Sequence, residues 1–405
     1  MTSREATVST ENAIRPPDAA PRDFKSSAQV VATIAAQHAD TVDIEARFPA
    51  EAFAAIRAQR LLGIMAPRAL GGEAAGIADV VDVCYLLGQA CASTGMIYAM
   101  HQIKTACIVR HMRGSVALQR LVSRLCAEQL LLASSTTEGQ SGGNVRSSEA
   151  AVEHHDGRIS LERRASVISY GAYADGIVTT ARRSADAAGS DQVLVAFVKS
   201  DYTLKRLQGW HTLGMRGTCS EGYTLSASGA ADQIIPEPYE TIHSQTMVPF
   251  AHLLWGAVWT GVAAGATARA QAFIRNAMRQ GNGQMPPGAG RFTHAMASLR
   301  TLRGLLASAL QTYESNMDDT KALASLEFQS MITLTKVEAS ELAVSIVMSA
   351  LRVCGLTGYR SDGEFSIGRH LRDVLSAPLM INNERILANL ATTSLMTPIP
   401  ASLRD

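Results

Sequence analysis

Apolar residues recur at helical spacing from Phe24 to about Leu130. They break into short strand-like runs between Leu131 and Pro236, then return to helical spacing from about Val248 onward. In the first stretch a helix is expected to begin near Pro49, a favoured first-turn residue, and to end near Gly63, with Phe53, Ile56, Leu61 and Ile64 clustered at helical spacing. Further helices are predicted at about residues 78–92, 96–112 and 116–128. The middle stretch carries LLASST, RISL, SVIS, GIVTTA, QVLVAFVK and YTL, separated by turn residues, a spacing that suits a small antiparallel barrel or sandwich. SADAAGSDQ, at 184–192, reads as a surface loop. The C-terminal segments near 250–280, 291–317 and 320–353 are each roughly 27 to 34 residues, so roughly 40–50 Å long at about 1.5 Å per residue. Helices of that length without heptads imply an antiparallel bundle, and GNGQMPPGAG at 281–290 breaks two of them apart.

The pattern divides the chain into a tail (1–22), a helical part (23–130), a β part (131–240) and a helical bundle (241–405). The tail is polar, contains Pro16-Pro17 and lacks an apolar targeting core, so a cytoplasmic protein is expected. The most apolar stretch, LLWGAVWTGVAAGA at 253–266, is shorter than the roughly 20 residues a bilayer needs and reads as a buried bundle helix. A net charge of +1 leaves no footprint for nucleic acid or for an anionic membrane surface. The six cysteines are scattered with no CxxC pair, which reads as core residues in a reducing compartment. No His/Cys/Asp cluster has metal spacing, no Ser/His/Asp elbow is present, and no GxGxxG follows a strand.

Four stretches carry candidate chemistry: TTEGQSGGN at 136–144, GWHTLGMRGTCSEGY at 209–223, CGLTGYRSDGEFSIGRHLRD at 354–373 and MINN at 380–383. With a β part between two helical parts, the chain resembles the acyl-CoA dehydrogenase superfamily of flavoproteins. That resemblance implies an α+β fold with an N-terminal α-helical domain, a middle β-barrel or sandwich domain and a C-terminal four-helix bundle. It also implies FAD, with FMN the less favoured alternative, and a homodimer or homotetramer. The first stretch resembles the Thr-Glu-Pro-x-x-Gly-Ser-Asp strand end that lies along the flavin, pointing to Thr136, Thr137 and Gly142; Gly143 stands where relatives use a Ser that helps hold acyl-CoA. Ser169, before Tyr170-Gly171, falls where the family has Thr or Ser beside the flavin N5. Gly355, Gly358 and Arg372 match the loop that serves the adenosine half from a neighbouring subunit, and Arg279 lies near the pyrophosphate arginine. LGMRGT matches a loop between barrel strands, with Arg216 read as structural.

The last stretch departs from the family. Counted from Arg372-Asp373, the catalytic Glu position is Ile381. The alternative site on the helix after the barrel reads Ala251-His252-Leu253-Leu254-Trp255, with neither a carboxylate nor the Asp-x-x-Arg that often helps bind CoA. Desaturation of a thioester needs a base for the α-proton, worth about 10²–10⁴-fold in rate. Glu384 is the candidate for a relocated base, with His252 a second possibility; Asn382 and Asn383 offer amides for a carbonyl or an oxygen species. His101, in YAMHQ, sits where flavin monooxygenases of this fold place a His near the flavin. The expected function is therefore oxidation of an acyl-CoA or carrier-protein thioester, favoured as an oxygen-using reaction. The alternatives are an acyl-CoA dehydrogenase that hands its electrons to a transfer acceptor, and an inactive flavin-binding scaffold.

Overall fold

The computed structural model describes residues 22–138, 146–396, 399 and 401–402, the side chain of residue 393 excepted. Helix α1 (Phe24–Ile44) starts on Asp23, whose carboxylate accepts the Ser26 N–H, and buries an alanine and valine stripe from Ala28 to Val42. Helix α2 (Ala50–Ala58) ends before the expected Gly63. Arg60 takes a positive φ of 47°, and the chain then turns with Leu61, Leu62 and Ile64 fully buried. Helices α3 (Ile77–Ala90), α4 (Ala92–His111) and α5 (Val116–Glu128) follow. Helix α4 is buried on nearly every side, which places it at the centre of the molecule.

The middle part holds two sheets. One has the order β1-β4-β5, from Leu132–Ser135, Gly176–Arg182 and Gln192–Val198. The other has the order β2-β3-β7-β6, from Glu153–His155, Arg158–Ile168, Tyr202–Gln208 (β6) and Glu221–Ala230 (β7). The expected antiparallel pairing holds except that β1 and β4 run parallel, Leu132 against Gly176 through Ser135 against Thr179. Strand β7 was not separately expected. Its Gly, Ser and Ala content is a weak strand signal, yet it is the central strand between β3 and β6.

A short helix, α6 (Tyr239–Ile242), runs through one π turn at His243–Met247 into α7 (Val248–Gln280). Then come α8 (Ala289–Asn316), α9 (Thr320–Ala324), α10 (Leu326–Tyr359), α11 (Gly368–Val374) and α12 (Asn383–Met396). The stretch expected as one helix from 320 is split at Ser325, which is extended and caps α10 by accepting the Phe328 N–H. Among the described residues, two helical stretches, Tyr239–Gln280 and α10, are long and apolar enough to cross a membrane. In the first, 94% of the most apolar window is buried inside the protein. Helices α7, α8 and α10 pack together, α3 lies on α7, and α12 lies on α10.

Candidate active site

A cavity of about 620 Å³ opens where α4, the ends of β1 and β3, the N-terminal half of α7 and the segment after α11 meet. Its size is that of a site for a drug-sized molecule. Thr136 and Thr137 line it from the end of β1, and Ser166, Val167 and Ser169 from the end of β3. Trp210, Leu213 and Met215 close one side; Leu379, Met380 and Ile381 close another. The walls are mostly apolar, with hydroxyls gathered at the β edge.

Those hydroxyls are ordered. Ser169 Oγ lies 2.8 Å from Ser220 Oγ, Ser220 Oγ lies 2.8 Å from Thr218 Oγ1, and Thr218 Oγ1 donates to the Met215 carbonyl at 2.8 Å. Because Thr218 spends its proton on that carbonyl, Ser220 donates to Thr218 and Ser169 to Ser220. Ser169 is left presenting lone pairs to the cavity it lines. The Met215 N–H donates to Asp373 Oδ1 at 2.6 Å, and a side chain at Gly214 would collide with the Arg372 backbone. The LGMRGT loop is thus clamped onto α11. Arg372 lines the cavity and pairs with Asp43 of α1, while Arg216 donates to the Ile44 carbonyl at 3.2 Å, a structural contact.

Of the remaining expected residues, His101 is fully buried and is not part of the lining. Its Nε2 lies 2.9 Å from the Leu62 carbonyl and its Nδ1 accepts the Leu132 N–H at 3.0 Å. Both ring nitrogens are therefore engaged by backbone, and burial pushes the pKa down to about 4. Asn383 is buried outside the cavity. Its amide N–H group donates to Ser340 Oγ and Glu341 Oε1, and its Oδ1 accepts Lys336 Nζ at 2.7 Å. Asn382 and Glu384 are exposed at the start of α12, where Asn382 Oδ1 accepts the Arg385 N–H at 3.3 Å. Arg279 is exposed in the last turn of α7. Gly355, with φ 57° and ψ −138°, interrupts α10; Gly358 is buried one turn on. Gly142, like Gly143 and Asn144, lies outside the described residues. Glu138, at the other end of the same motif, is structural: it accepts the Glu149 and Ala150 N–H groups.

Among the described residues that line the cavity there is no Asp or Glu. The ionisable groups there are Lys104, His243, His252 and Arg372. Ile381 faces the cavity in the left-handed region, φ 50°, an unusual conformation for a β-branched residue. His252 Nδ1 lies 3.1 Å from the Ile332 carbonyl, to which it must donate, so Nε2 carries the lone pair. Burial lowers its pKa to about 4. Lys104 and His243 went unremarked in the sequence. The available signal for Lys104 was a lone cation inside the apolar run IYAMHQIKTACIV.

A family model described as acyl-CoA dehydrogenase, N-terminal domain, matches residues 23–128, and one described as acyl-CoA dehydrogenase, C-terminal domain, matches residues 253–379. Together they take in more than half of the chain. Over 364 residues the chain is 26% identical to the 3-sulfinopropanoyl-CoA desulfinase of Paraburkholderia xenovorans, covering 87% of this chain and 90% of that protein. Over 348 residues it is 25% identical to the probable acyl-CoA dehydrogenase FadE25 of Mycobacterium tuberculosis, covering 84% and 85%. Its structure superposes on that of FMN-bound TdsC from a Paenibacillus species with a TM-score of 0.82 at 17% identity, over 93% of this chain and 98% of that one, a likeness of fold.

Proposed function

The chain belongs to the acyl-CoA dehydrogenase superfamily, and we propose that it is a flavin-dependent oxidoreductase acting on an acyl thioester in an oxygen-using reaction. The cavity fits a flavin ring. A flat tricycle needs an apolar slot with polar groups along one edge, and Val167, Trp210 and Met215 supply the slot while Thr136, Thr137 and Ser169 supply the edge. FAD is the proposed cofactor, held on its adenosine side by the Gly355–Gly358 turn and Arg372, with Arg279 and Gly142 as further contacts. The fold's long helices make a homodimer or homotetramer the proposed assembly. When bound, the flavin would supply the two-electron redox chemistry that no side chain here can provide.

One observation carries the choice of reaction: no carboxylate lines the cavity among the described residues, and Ile381 stands where the family's base would be. The side chains around the site exclude water and place hydroxyls at one edge, but none of them is a strong base at neutral pH. Glu384, the candidate relocated base, is exposed on α12 and does not line the cavity. His101 is left with the role of holding β1 against α4. Two measurements test the reading. Flavin released from denatured protein should run as FAD; FMN alone, or no flavin, counts against it. Reduced protein mixed with oxygen and a CoA thioester should give a product heavier by one oxygen atom.

A second reading keeps α,β-desaturation with His252 as base, because its Nε2 lone pair is at the cavity wall. Enoyl product formed with an artificial electron acceptor, and abolished by His252→Phe, would establish that reading over the first. An inert scaffold would show neither product and no change in flavin absorbance with any thioester.

A further inference from the structure

Lys104 projects from α4 into the cavity wall and is 4% exposed. Among the described residues its ammonium has one partner, the Met247 sulfur at 3.5 Å, a weak acceptor. Among the described residues no carboxylate pairs with it. A buried ammonium with two of its three protons unmatched is costly unless something else is there to accept them. Beside it, at the π turn between α6 and α7, His243 is 7% exposed, lines the same cavity, and its Nε2 has no hydrogen-bond partner. Burial, then the fields of Arg146, His252 and Lys104, push the His243 pKa down to about 3. On Lys104 burial acts the same way, lowering its pKa to about 8, with the Cys107 thiol the only opposing influence. Two buried basic groups, on two elements, thus line the same mostly apolar cavity, the His243 Nε2 itself unmatched.

We propose that this end of the cavity binds an oxyanion, a carboxylate or sulfinate, carried on the far end of the substrate's acyl chain, with Lys104 and His243 as its donors. The proposal rests on the reading of the cavity as the acyl-thioester site. An anion there supplies the acceptors that Lys104 and His243 lack, and the surrounding apolar walls strengthen the charge-assisted bonds. His243 opens the π turn that joins α6 to α7, a kind of irregularity that recurs at functional sites. Lys104 and His243 act here as specificity residues and take no part in bond making.

The test uses flavin-loaded protein and calorimetry with succinyl-, glutaryl- and adipyl-CoA, each against the neutral acyl-CoA of equal chain length. The best acidic member should bind about 10-fold or more tighter than its neutral counterpart, the range of one charged hydrogen-bonded contact. Lys104→Met should erase that preference and Lys104→Arg should keep part of it. Lys104→Gln, neutral and polar, replaces Lys104→Met if the latter does not fold; urea unfolding of each variant reports this separately. Equal or weaker binding of every acidic ester overturns the proposal while leaving the thioester reading in place. A preference that survives in Lys104→Met also overturns it. If no CoA ester binds, the thioester reading fails, and free glutarate against dimethyl glutarate becomes the probe. Tighter binding of glutarate that depends on Lys104 supports the oxyanion site, and no difference overturns it.

Discussion

Two residues, one on the cavity wall and one buried behind it, make opposite cases. Ile381 faces the site in a left-handed conformation that costs a β-branched residue about 1–2 kcal/mol. Ile381→Glu places a carboxylate where none lines the wall. It is expected to raise enoyl product formation with an artificial acceptor by about 10²-fold, the low end of general-base help. No gain over the unsubstituted protein would mean that the cavity does not hold a thioester with its α-carbon near this position. His101 argues the other way. Removing it leaves the buried Leu132 N–H without that acceptor and the Leu62 carbonyl with the longer Gln102 Nε2 bond at 3.3 Å, so His101→Ala should cost about 2 kcal/mol in urea unfolding. Flavin stoichiometry at low temperature should hold. Unchanged stability with lost activity would restore His101 to the chemistry. The motif around His101 was legible in the sequence but its role was not, because its partners are backbone groups 31 and 39 residues away. Lys104 was missed for a related reason: a lone lysine in a helix reads as a solvated one until the helix is known to be central.

At the scale of elements, α3 and α7 cross so closely that glycine is required. A Cβ on Gly88 would run into the Val258 carbonyl, and one on Gly261 into that of Tyr85. Gly261→Ala should therefore destabilise by about 3 kcal/mol, the upper range for overpacking. At Gly304, on the exposed face of α8, a Cβ would meet nothing within 4 Å. Gly304→Ala should stabilise by about 0.5–1 kcal/mol through helix propensity. Equal effects of the two, read from urea midpoints, would refute the close crossing. Helices of this kind are what periodicity reports well: α5 was expected at 116–128 and spans Val116–Glu128. Pairing is what it reports badly. The tripeptide YTL occurs in both β6 and β7, and nothing local tells an edge strand from a central one. The parallel match of β1 with β4 likewise depends on a connection that leaves the sheet and returns.

Over the whole molecule one apolar cluster runs continuously from α1 through both sheets into the C-terminal helices, and histidines have been drawn into it. Burial holds the pKa of His101 and His252 down to about 4 and that of His243 to about 3, against an ordinary 6.5. A depressed histidine binds fewer protons folded than unfolded. Its contribution is therefore intact above pH 6.5 and is lost as the pH falls toward the folded value. Asp373 has the opposite sign. Burial raises its pKa to about 6, so it favours the folded state in acid and loses that contribution as the pH rises through 6. At pH 5 each of these three histidines costs on the order of 2 kcal/mol relative to pH 8 and Asp373 returns on the order of 1, a net loss of several kcal/mol to which the depressed imidazoles of His111 and His370 add. That is comparable to the whole stability of a marginal domain. Thermal unfolding at fixed ionic strength should show the melting temperature falling steadily from pH 6.5 to pH 5, and His252→Gln should flatten the slope by about one proton. A melting temperature that stays level or rises over that range would mean these imidazoles are reached by water, and the burial of His243 and His252 in the cavity wall would have to be abandoned.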